Sequence, residues 1–243
     1  MSDIPKSFNG KYYNRDYFQT PEGKKYRDAS GSIHGWSYES PDGEWSGARP
    51  IAKAWKEVFE PTNLLDVGAG RGTFIAYARD AGIAAEGFDF SEWAVSDEGR
   101  YTRCKAEWLR LHDATEPWPY EDDSFDLVVV LDFFEHIYKN DLDFVIGELF
   151  RVTSKYVFLQ IATVDGVKEF GYTLRKGEPV PIELEMYAVA AHVTVQDETF
   201  WYDRLEHEDW MTRRDMTHHF CSLVDPNILH NWILNSIITM EKL

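Results

Sequence analysis

Residues 64–74 read LLDVGAGRGTF, with Gly68, Gly70 and Gly72 between a short apolar run and a helical segment. Glycine at such a turn lets the backbone approach a ligand closely and adopt conformations that other residues avoid. The spacing is G-x-G-x-G, whereas the dinucleotide fingerprint is G-x-G-x-x-G with a pyrophosphate at the helix N-terminus. The order of strand, glycine-rich turn and helix therefore predicts a nucleotide-type ligand site, with a purely steric role for the glycines as the alternative.

Strand and helix patterns alternate on both sides of this turn. Apolar residues at spacings of three and four indicate helices, and short apolar runs indicate strands. The run at 125–131 is largely apolar on both faces, which is typical of a strand in the middle of a parallel sheet. We therefore predict an α/β fold, namely a doubly wound, mostly parallel seven-stranded sheet with helices on both faces. Six of these strands can be placed in the sequence, at 64–67, 83–88, 108–111, 125–131, 156–161 and 233–240. The predicted helices are 47–60, 73–80, 91–96, 141–152 and 198–205.

Two segments fall outside this alternation. Residues 1–45 mix aromatic residues with Gly, Ser, Asp and Pro and show no sustained period, so we predict an irregular, aromatic-rich N-terminal cap. Residues 46–243 form the main domain, with a lid-like insertion at about 163–190 after the fifth strand. The aromatic residues of the cap either anchor it to the domain or line a substrate pocket. We expect cap and insertion to close over the ligand, with pocket walls from Tyr17, Tyr26, Trp36 and Trp45.

Composition limits the classes of function. The chain has 243 residues, 44% of them hydrophobic, which is enough for a sizeable core. Its 42 acidic residues outnumber 25 basic ones and give a net charge of -17, so we expect no nucleic-acid partner. The longest apolar stretches, 127–131 and 186–191, are too short to cross a bilayer, so we expect no membrane role. With Cys104 and Cys221 as its only cysteines and no signal-peptide pattern at the start, we expect a reduced, cytoplasmic protein.

Carboxylates that follow the next two strands fit an adenosine. Asp89 comes 19 residues after Gly70 and can accept both ribose hydroxyls; a helix cap or a turn residue is the alternative. Phe90 beside it offers a flat apolar face for an adenine. Asp113 follows the third strand, where it can accept the adenine amino group or serve only as a turn residue. These positions favour a nucleotide site over a purely steric turn.

A fourth signal lies at the central strand. The polar turn that precedes this strand and the strand itself deliver residues 132–137 to the crevice at the carboxyl ends of the strands. With the four signals in this order, the sequence resembles the class I S-adenosylmethionine-dependent methyltransferases over about 64–161. The combination is specific, whereas any one motif is not. One departure is Thr153-Ser154-Lys155, which stands where many members carry a glycine-containing turn; it puts that loop in question but not the cofactor.

The resemblance implies S-adenosyl-L-methionine as the cofactor, held without a metal. We also place Asp132 among the cofactor-binding residues, because it opens the segment that the central strand delivers to the crevice. By position, the resemblance implies that Asp66 with Gly68, Gly70 and Gly72 holds the methionine part, Asp89 the ribose, and Phe90 with Asp113 and Ala114 the adenine.

Two histidines are candidates for a group that assists the transfer. Displacement at a sulfonium depends mainly on alignment, and a base helps when the acceptor carries a proton. His136 is the first candidate because the resemblance places it beside the sulfonium and a neutral imidazole is a base near pH 7; alternatively it only orients its loop. His192 is the second candidate. We interpret His218 and His219, near Cys221, as ordinary strand or loop residues and expect no metal site there, since no metal-ligand spacing supports one.

Three classes of function remain open at this point. The first is an S-adenosylmethionine-dependent methyltransferase that acts on an oxygen or nitrogen atom of a small-molecule acceptor, enclosed by the aromatic additions. The second is an NAD- or FAD-dependent oxidoreductase, because Asp89 and the glycine turn would serve an adenosine ribose there too; the glycine spacing and Asp113 weigh against it. The third is a non-catalytic binding protein on the same fold. No oligomeric state follows from the sequence.

Overall fold

The computed structural model describes residues 10–19, 24–27, 33–36, 47–163, 171–178, 191–229 and 237–243. The helices are α1 Arg15–Gln19, α2 Ala48–Phe59, α3 Thr73–Asp80, α4 Glu92–Val95, α5 Leu142–Val152, α6 Glu198–Leu205, α7 Arg214–Leu223 and α8 Pro226–Leu229. The strands are β1 Lys24–Arg27, β2 Ile33–Trp36, β3 Asn63–Val67, β4 Ala84–Asp89, β5 Leu109–Leu111, β6 Phe125–Leu131, β7 Thr153–Gln160, β8 Tyr172–Thr173, β9 Thr194–Val195, β10 Trp210–Thr212 and β11 Ile237–Lys242.

Seven of these strands form one sheet in the order β10-β11-β7-β6-β3-β4-β5. The pairs from β7 to β5 are parallel, whereas β11 is antiparallel to both β7 and β10 at one side. The chain runs outward from β3 through β4 to β5 and then returns to β6 on the other side of β3. The carboxyl ends of β3 and β6 therefore flank the crevice in which such sheets bind ligands. The predicted doubly wound, mostly parallel seven-stranded sheet is confirmed.

Apolar side chains cover both faces of the sheet. Helices α2, α3 and α7 pack on one face, where Trp55 and Phe220 are completely buried against Phe158 of β7. Helices α5 and α6 pack on the other face through Leu149 and Trp201, which are also completely buried. Burying a large apolar side chain contributes about 1.5–3 kcal/mol. The strand ends that carry the polar residues are thus fixed from both sides.

Most predicted elements of the sheet are present, with shifted ends. Thr73–Asp80 and Phe125–Leu131 begin and end where the sequence predicts them. The third strand is Leu109–Leu111, shorter than predicted because Trp108 belongs to a 3-10 turn. The closing strand is Ile237–Lys242, two residues longer at its end than predicted, and residues 233–236 lie outside the described residues.

The C-terminal region contains three elements that the sequence analysis does not predict, β10, α7 and α8. His218 and His219 lie exposed on α7, so their interpretation as strand or loop residues is wrong. The reason is the helical period: Met216 and Phe220, four positions apart, are buried on one side and leave the histidines on the other.

The N-terminal segment is more regular than predicted. Residues Arg15–Gln19 form α1, and β1 pairs with β2 antiparallel, so the expectation of an irregular cap is wrong for these residues. Within the predicted insertion, β8 pairs antiparallel with β9, and residues 164–170 and 179–190 lie outside the described residues. Among the described helices, none is both long and apolar enough to span a membrane.

Candidate functional site

The glycine turn follows β3 directly and leads into α3. Gly68, Gly70 and Gly72 have φ values of 70°, 52° and 77°, in the left-handed region that favours glycine. A side chain at Gly68 would collide with the Phe133 ring, and one at Gly72 with the Cys104 thiol. Conformation and space therefore both require glycine at these two positions.

Asp66 lies in β3, just before this turn, and is 2% exposed. Its Oδ2 is buried and has no hydrogen-bond partner among the described residues. Burial, together with the nearby negative charge of Asp89, raises the pKa of Asp66 to about 8, so its carboxyl group is mostly protonated at pH 7. A buried polar atom without a partner costs free energy unless a ligand group meets it. Asp66 therefore suits the ammonium group of an amino-acid ligand.

Asp89 ends β4 beside the turn and is 8% exposed. Its Oδ2 accepts a hydrogen bond from the Gly70 amide at 2.8 Å, and its Oδ1 accepts one from the Ser91 amide at 2.8 Å. Burial raises its pKa to about 6, although these amide bonds oppose the rise. Ser91, not Asp89, caps α4 through the Ala94 amide at 3.0 Å. Asp89 is thus a turn residue that keeps free lone pairs, since a carboxylate offers about four acceptor positions.

A cavity of about 550 Å³ lies beside Asp89. It brings Phe90 and Asp113 together, although they follow different strands. Asp113 is exposed and accepts hydrogen bonds from the Thr115 amide and hydroxyl, both at 2.9 Å, so it also forms a turn. Neighbouring Ala114 is 6% exposed. The cavity lining consists of Gly10, Lys11, Asn14, Phe90, Glu92, Trp93, Leu111, His112 and Asp113.

The segment after β6 turns sharply at Asp132, an exposed residue with φ of 46°. Its amide donates to Gln160, to the carbonyl oxygen at 2.9 Å and to Oε1 at 3.0 Å. Glu135 is completely buried, and its Oε1 accepts from the Ala162 amide at 3.3 Å. Burial first, and the negative charge of Asp132 second, raise the pKa of Glu135 well above its usual range. Burial therefore favours the neutral form of this carboxyl group, which lies next to the exposed Asp132.

The two histidines predicted as catalytic candidates lie side by side. The ring centroids of His136 and His192 are 5.0 Å apart. Nδ1 of His136 lies 3.1 Å from the Tyr13 hydroxyl and 3.1 Å from the Ala191 carbonyl oxygen. Burial lowers the pKa of His136 to about 4. Burial, together with the charge of neighbouring His136, lowers the pKa of His192 well below its usual range. Both imidazoles are therefore neutral at pH 7 and can accept a proton.

Residues 12–18 cover this part of the crevice. Tyr13, Tyr17 and Phe18 are 7%, 4% and 6% exposed. The Phe18 ring stacks on Trp93 with a centroid distance of 5.7 Å. The same ring lies 3.5 Å from the position that a Cβ atom at Gly70 would occupy. Tyr17, for which the sequence predicts a pocket wall, packs against Tyr13 and Phe18 and is not among the residues that line the cavity. The side chains of Tyr26, Trp36 and Trp45 fall outside the described residues.

Sequence analysis misses two residues of this site. Tyr13 falls within the predicted aromatic-rich cap and Ser91 within a predicted helix, and the sequence gives neither of them a role in the site. In the structure the Ser91 hydroxyl also donates to the Tyr13 carbonyl oxygen. Tyr13 lies just before α1, four positions ahead of Tyr17, and this spacing carries no information about His136.

Glu135, His136 and His192 also have the donor types of a transition-metal site. Each offers one ligand-type atom, and these atoms lie within 4.8 Å of one another. Carboxylate and imidazole are ligands that Zn²⁺ accepts. Nδ1 of His136, however, is already engaged by Tyr13 and Ala191. The absence of a metal remains a prediction for this protein.

Residues 65–159 match the family described as methyltransferase domain. No curated protein sequence matches the chain. A protein from Pyrococcus horikoshii OT3 is 27% identical over 41% of this chain, which spans about half (49%) of that protein's length, with a TM-score of 0.37.

Two further solved structures share the fold over most of the chain. The plantazolicin methyltransferase BpumL, solved with a pentazolic desmethylPZN analog and SAH, is 17% identical, with a TM-score of 0.53 and coverage of 84% of this chain and 86% of that chain. A putative methyltransferase from Haloferax volcanii, in complex with the Trm112 methyltransferase activator, is 13% identical, with a TM-score of 0.53 and coverage of 79% and 89%. These likenesses support the doubly wound fold.

Proposed function

We propose that the chain is a class I S-adenosylmethionine-dependent methyltransferase that methylates an oxygen or nitrogen atom of a small molecule, because residues 65–159 match the methyltransferase domain family. The cofactor supplies an electrophilic methyl group on a sulfonium. The chain's own residues bind the cofactor, align the acceptor with the methyl group and accept any proton that the acceptor loses. Each contribution has candidate residues in the crevice.

We assign the cofactor to the glycine turn and the adjoining cavity. The buried, unpartnered Oδ2 of Asp66 suits the ammonium of the methionine part, and the remaining lone pairs of Asp89 suit the ribose hydroxyls. The cavity beside Phe90 suits the adenine. The proposed cofactor-binding residues are Asp66, Gly68, Gly70, Gly72, Asp89, Phe90, Asp113, Ala114 and Asp132.

The cover over the crevice carries the proposal of a small acceptor. Tyr13, Tyr17 and Phe18 are each less than 10% exposed and pack directly over Gly70 and His136. A folded macromolecule could not reach the methyl group without displacing this segment, whereas a small molecule can be enclosed by it. The net charge of -17 also opposes a nucleic-acid acceptor.

The paired imidazoles favour an acceptor that loses a proton. Oxygen and nitrogen acceptors carry one, and a neutral imidazole can take it. We therefore assign the catalytic roles to His136, which lies in the segment after β6, and to His192, which packs against it. Both roles stay proposals until a variant is assayed.

The test is a methyl-transfer assay with methyl-labelled S-adenosylmethionine. The purified protein is first titrated by calorimetry with S-adenosylhomocysteine and with NAD, and we expect only the former to bind, at micromolar levels. It is then offered pools of small phenols, carboxylic acids and amines, and in parallel a protein extract and total tRNA. Label is expected in a small-molecule pool. Label only in protein or tRNA would refute the small-acceptor proposal, and tighter binding of NAD would refute the cofactor assignment.

A further inference from the structure

We propose that Glu135, His136 and His192 bind one divalent transition-metal ion, which in turn holds the oxygen or nitrogen atom of the methyl acceptor. The role of the ion in transfer rests on the proposed function, whereas its binding does not. The proposal departs from the expectation of a chain without a metal, which becomes the result that would overturn it. The cofactor is still held by the protein alone, because the ion is assigned to the acceptor.

Three donor atoms from two separate segments meet at this place. Each of the three residues offers one ligand-type atom, and these atoms lie within 4.8 Å of one another. Zinc binds nitrogen and oxygen at about 2.0–2.2 Å, so two ligands of one ion lie at most about 4.4 Å apart. A small movement of the side chains therefore brings all three atoms to one ion. Two imidazoles and one carboxylate form a set that holds catalytic zinc and leaves a position open for a substrate.

The main chain holds the two segments together without any metal. The Val193 amide donates to the Glu135 carbonyl oxygen at 2.7 Å. The Thr194 hydroxyl donates to the Ile137 carbonyl oxygen, also at 2.7 Å. These bonds place His192 beside the segment that carries the other two ligands. The site is therefore built by the fold and does not depend on a chance approach of surface side chains.

Glu135 keeps one carboxyl oxygen unused in the interior. Its side chain is completely buried, and only Oε1 accepts a hydrogen bond, from the Ala162 amide at 3.3 Å. Oε2 is buried and has no hydrogen-bond partner among the described residues. The charge that acts on this carboxyl group comes from a second carboxylate, Asp132. A buried oxygen of this kind requires an explanation, and an ion is one. Binding of a cation favours the charged carboxylate and releases its proton.

His136 has the outer contacts of an imidazole that binds through Nε2. Its Nδ1 lies 3.1 Å from the Ala191 carbonyl oxygen and 3.1 Å from the Tyr13 hydroxyl, and both oxygens can accept a hydrogen bond. A histidine that binds a metal usually donates its other ring N–H to a carbonyl, carboxylate or water oxygen, which fixes the ring. The engagement of Nδ1 therefore leaves Nε2 for the ion. The Asp132 backbone carbonyl also interacts with the ring, and its oxygen is of a type that divalent ions accept.

The donor set selects the class of ion. Imidazole nitrogen suits zinc, iron and other transition metals, whereas Mg²⁺ and Ca²⁺ take oxygen ligands. Two of the three donors here are imidazoles. We therefore expect Zn²⁺ or Mn²⁺ to bind and Ca²⁺ not to bind.

The site borders the glycine turn, so an acceptor on the ion is placed beside the cofactor. Phe133, two positions before Glu135, packs directly on Gly68. An acceptor O–H or N–H group on the ion loses its proton to water more readily. Its electron pair then forms the bond to the methyl carbon, while the carbon–sulfur bond breaks and its pair stays on sulfur. The two imidazoles hold the ion in this arrangement instead of taking the proton.

The binding test is a titration of the purified chain, freed of metal with EDTA, with Mn²⁺ followed by electron paramagnetic resonance. Free and bound Mn²⁺ give different signals. We expect one Mn²⁺ ion to bind per chain, Zn²⁺ to displace it, and Ca²⁺ at the same concentration to leave it in place. Failure of both Mn²⁺ and Zn²⁺ to bind would overturn the proposal.

Variants of the ligands locate the ion. Glu135→Gln and His192→Asn should each weaken Mn²⁺ binding by about tenfold or more. His218→Asn is the matched control, because it removes an exposed histidine on α7, and it should bind Mn²⁺ like the wild type. Circular dichroism checks the fold of each variant, and half-buried His192 carries the test if Glu135→Gln does not fold. Equal binding in His192→Asn and the wild type would overturn the site.

Methyl transfer tests the role of the ion. With the acceptor found in the transfer assay, removal of metal should lower kcat by about tenfold or more, and Mn²⁺ or Zn²⁺ should restore it. The dissociation constant for S-adenosylhomocysteine should change little, because the cofactor is held without the ion. Transfer that continues unchanged without metal would overturn the role of the ion and leave the imidazoles as bases. If no oxygen or nitrogen acceptor is methylated at all, the proposed function fails, while the Mn²⁺ titration still decides the metal site.

Discussion

Among single residues, Asp66 has a buried Oδ2 with no hydrogen-bond partner among the described residues, and we propose that a ligand group meets it. Its carboxyl group is 2% exposed and its pKa is about 8, against a usual value of 3.8. When the pKa of a carboxyl group is higher in the folded than in the unfolded state, the folded protein becomes less stable as pH rises. For Asp66, this loss of folding stability grows as pH rises from about 4 to about 8. A cationic ligand group would reverse it by favouring the charged form.

We therefore expect Asp66→Asn to stabilise the cofactor-free protein. The gain should grow as pH rises from about 4 to about 8 and then level off, because asparagine does not ionise. Each kcal/mol corresponds to about 2–4 °C in Tm for a chain of this size. Scanning fluorimetry between pH 4 and pH 9 measures the gain, with exposed Asp113→Asn as control. The same variant should bind S-adenosylmethionine more weakly; a Tm difference independent of pH would contradict the raised pKa.

Asp89 shows what sequence can resolve at this scale. Its position after a strand and its distance from the glycines predict a carboxylate at the ligand crevice, and the structure has one there. Sequence could not decide between a ligand role and a turn role, since both use the same oxygens. The structure shows that the turn bonds to Gly70 and Ser91 use one lone pair on each oxygen. The two roles are therefore compatible.

Among the elements, α1 depends most on its surroundings. It has five residues, whereas isolated helices shorter than about 12–15 residues are marginal in water. It is held by tertiary contacts, among them the stacking of the Phe18 ring on Trp93 at 5.7 Å. The cover over the glycine turn is thus only as stable as these contacts.

We expect Phe18→Ala to loosen this cover without unfolding the sheet. Chymotrypsin should cleave residues 1–45 several times faster, and S-adenosylhomocysteine should dissociate several times faster, since Phe18 packs over Gly70. Limited proteolysis and stopped-flow dissociation measure the two rates. Phe144→Ala, at a phenylalanine that is 40% exposed on α5, is the matched control. Equal rates in both variants would show that α1 does not cover the cofactor.

The elements that sequence predicts well are those with clear ends and enough residues to show a period. Helix α3 starts after Gly72 and stops before Gly82, and β6 runs from a polar turn to Asp132. By contrast, β10 has three residues and α1 has five, too few for a period to appear. Both are held by partners far away in sequence, and no local pattern reports such partners.

At the scale of the whole molecule, the sheet is completed by β11, the last strand in chain order. Ile237–Lys242 lies between β7 and β10, and Ile238 and Met240 are 1% and 2% exposed. Without this strand, β7 would expose an unpaired edge and β10 would have no neighbour.

We therefore expect deletion of residues 237–243 to abolish cooperative unfolding. The loss combines buried apolar area with the hydrogen bonds of two strand pairs. Thermal melts followed by circular dichroism measure it. Deleting only Leu243, which is 76% exposed, should change Tm little. A truncated chain that melts cooperatively within a few degrees of the full chain would contradict the role of this strand.

Sequence predicts the cofactor half of the site better than the acceptor half. Each cofactor candidate follows a strand, and parallel strands that are neighbours bring their carboxyl ends together. The contact of Tyr13 with His136 joins positions 123 residues apart, one of them in a segment without a sustained period. It depends on how the chain folds back over the sheet, which no local pattern in the sequence records.

The position of α1 has a consequence for the order of events during turnover. Tyr13, Tyr17 and Phe18 lie over the glycine turn and His136, where we propose that the cofactor binds. If it binds there, it has to enter before these residues close and its demethylated product can leave only after they open. We therefore expect a compulsory order of binding, with the cofactor first on and its product last off.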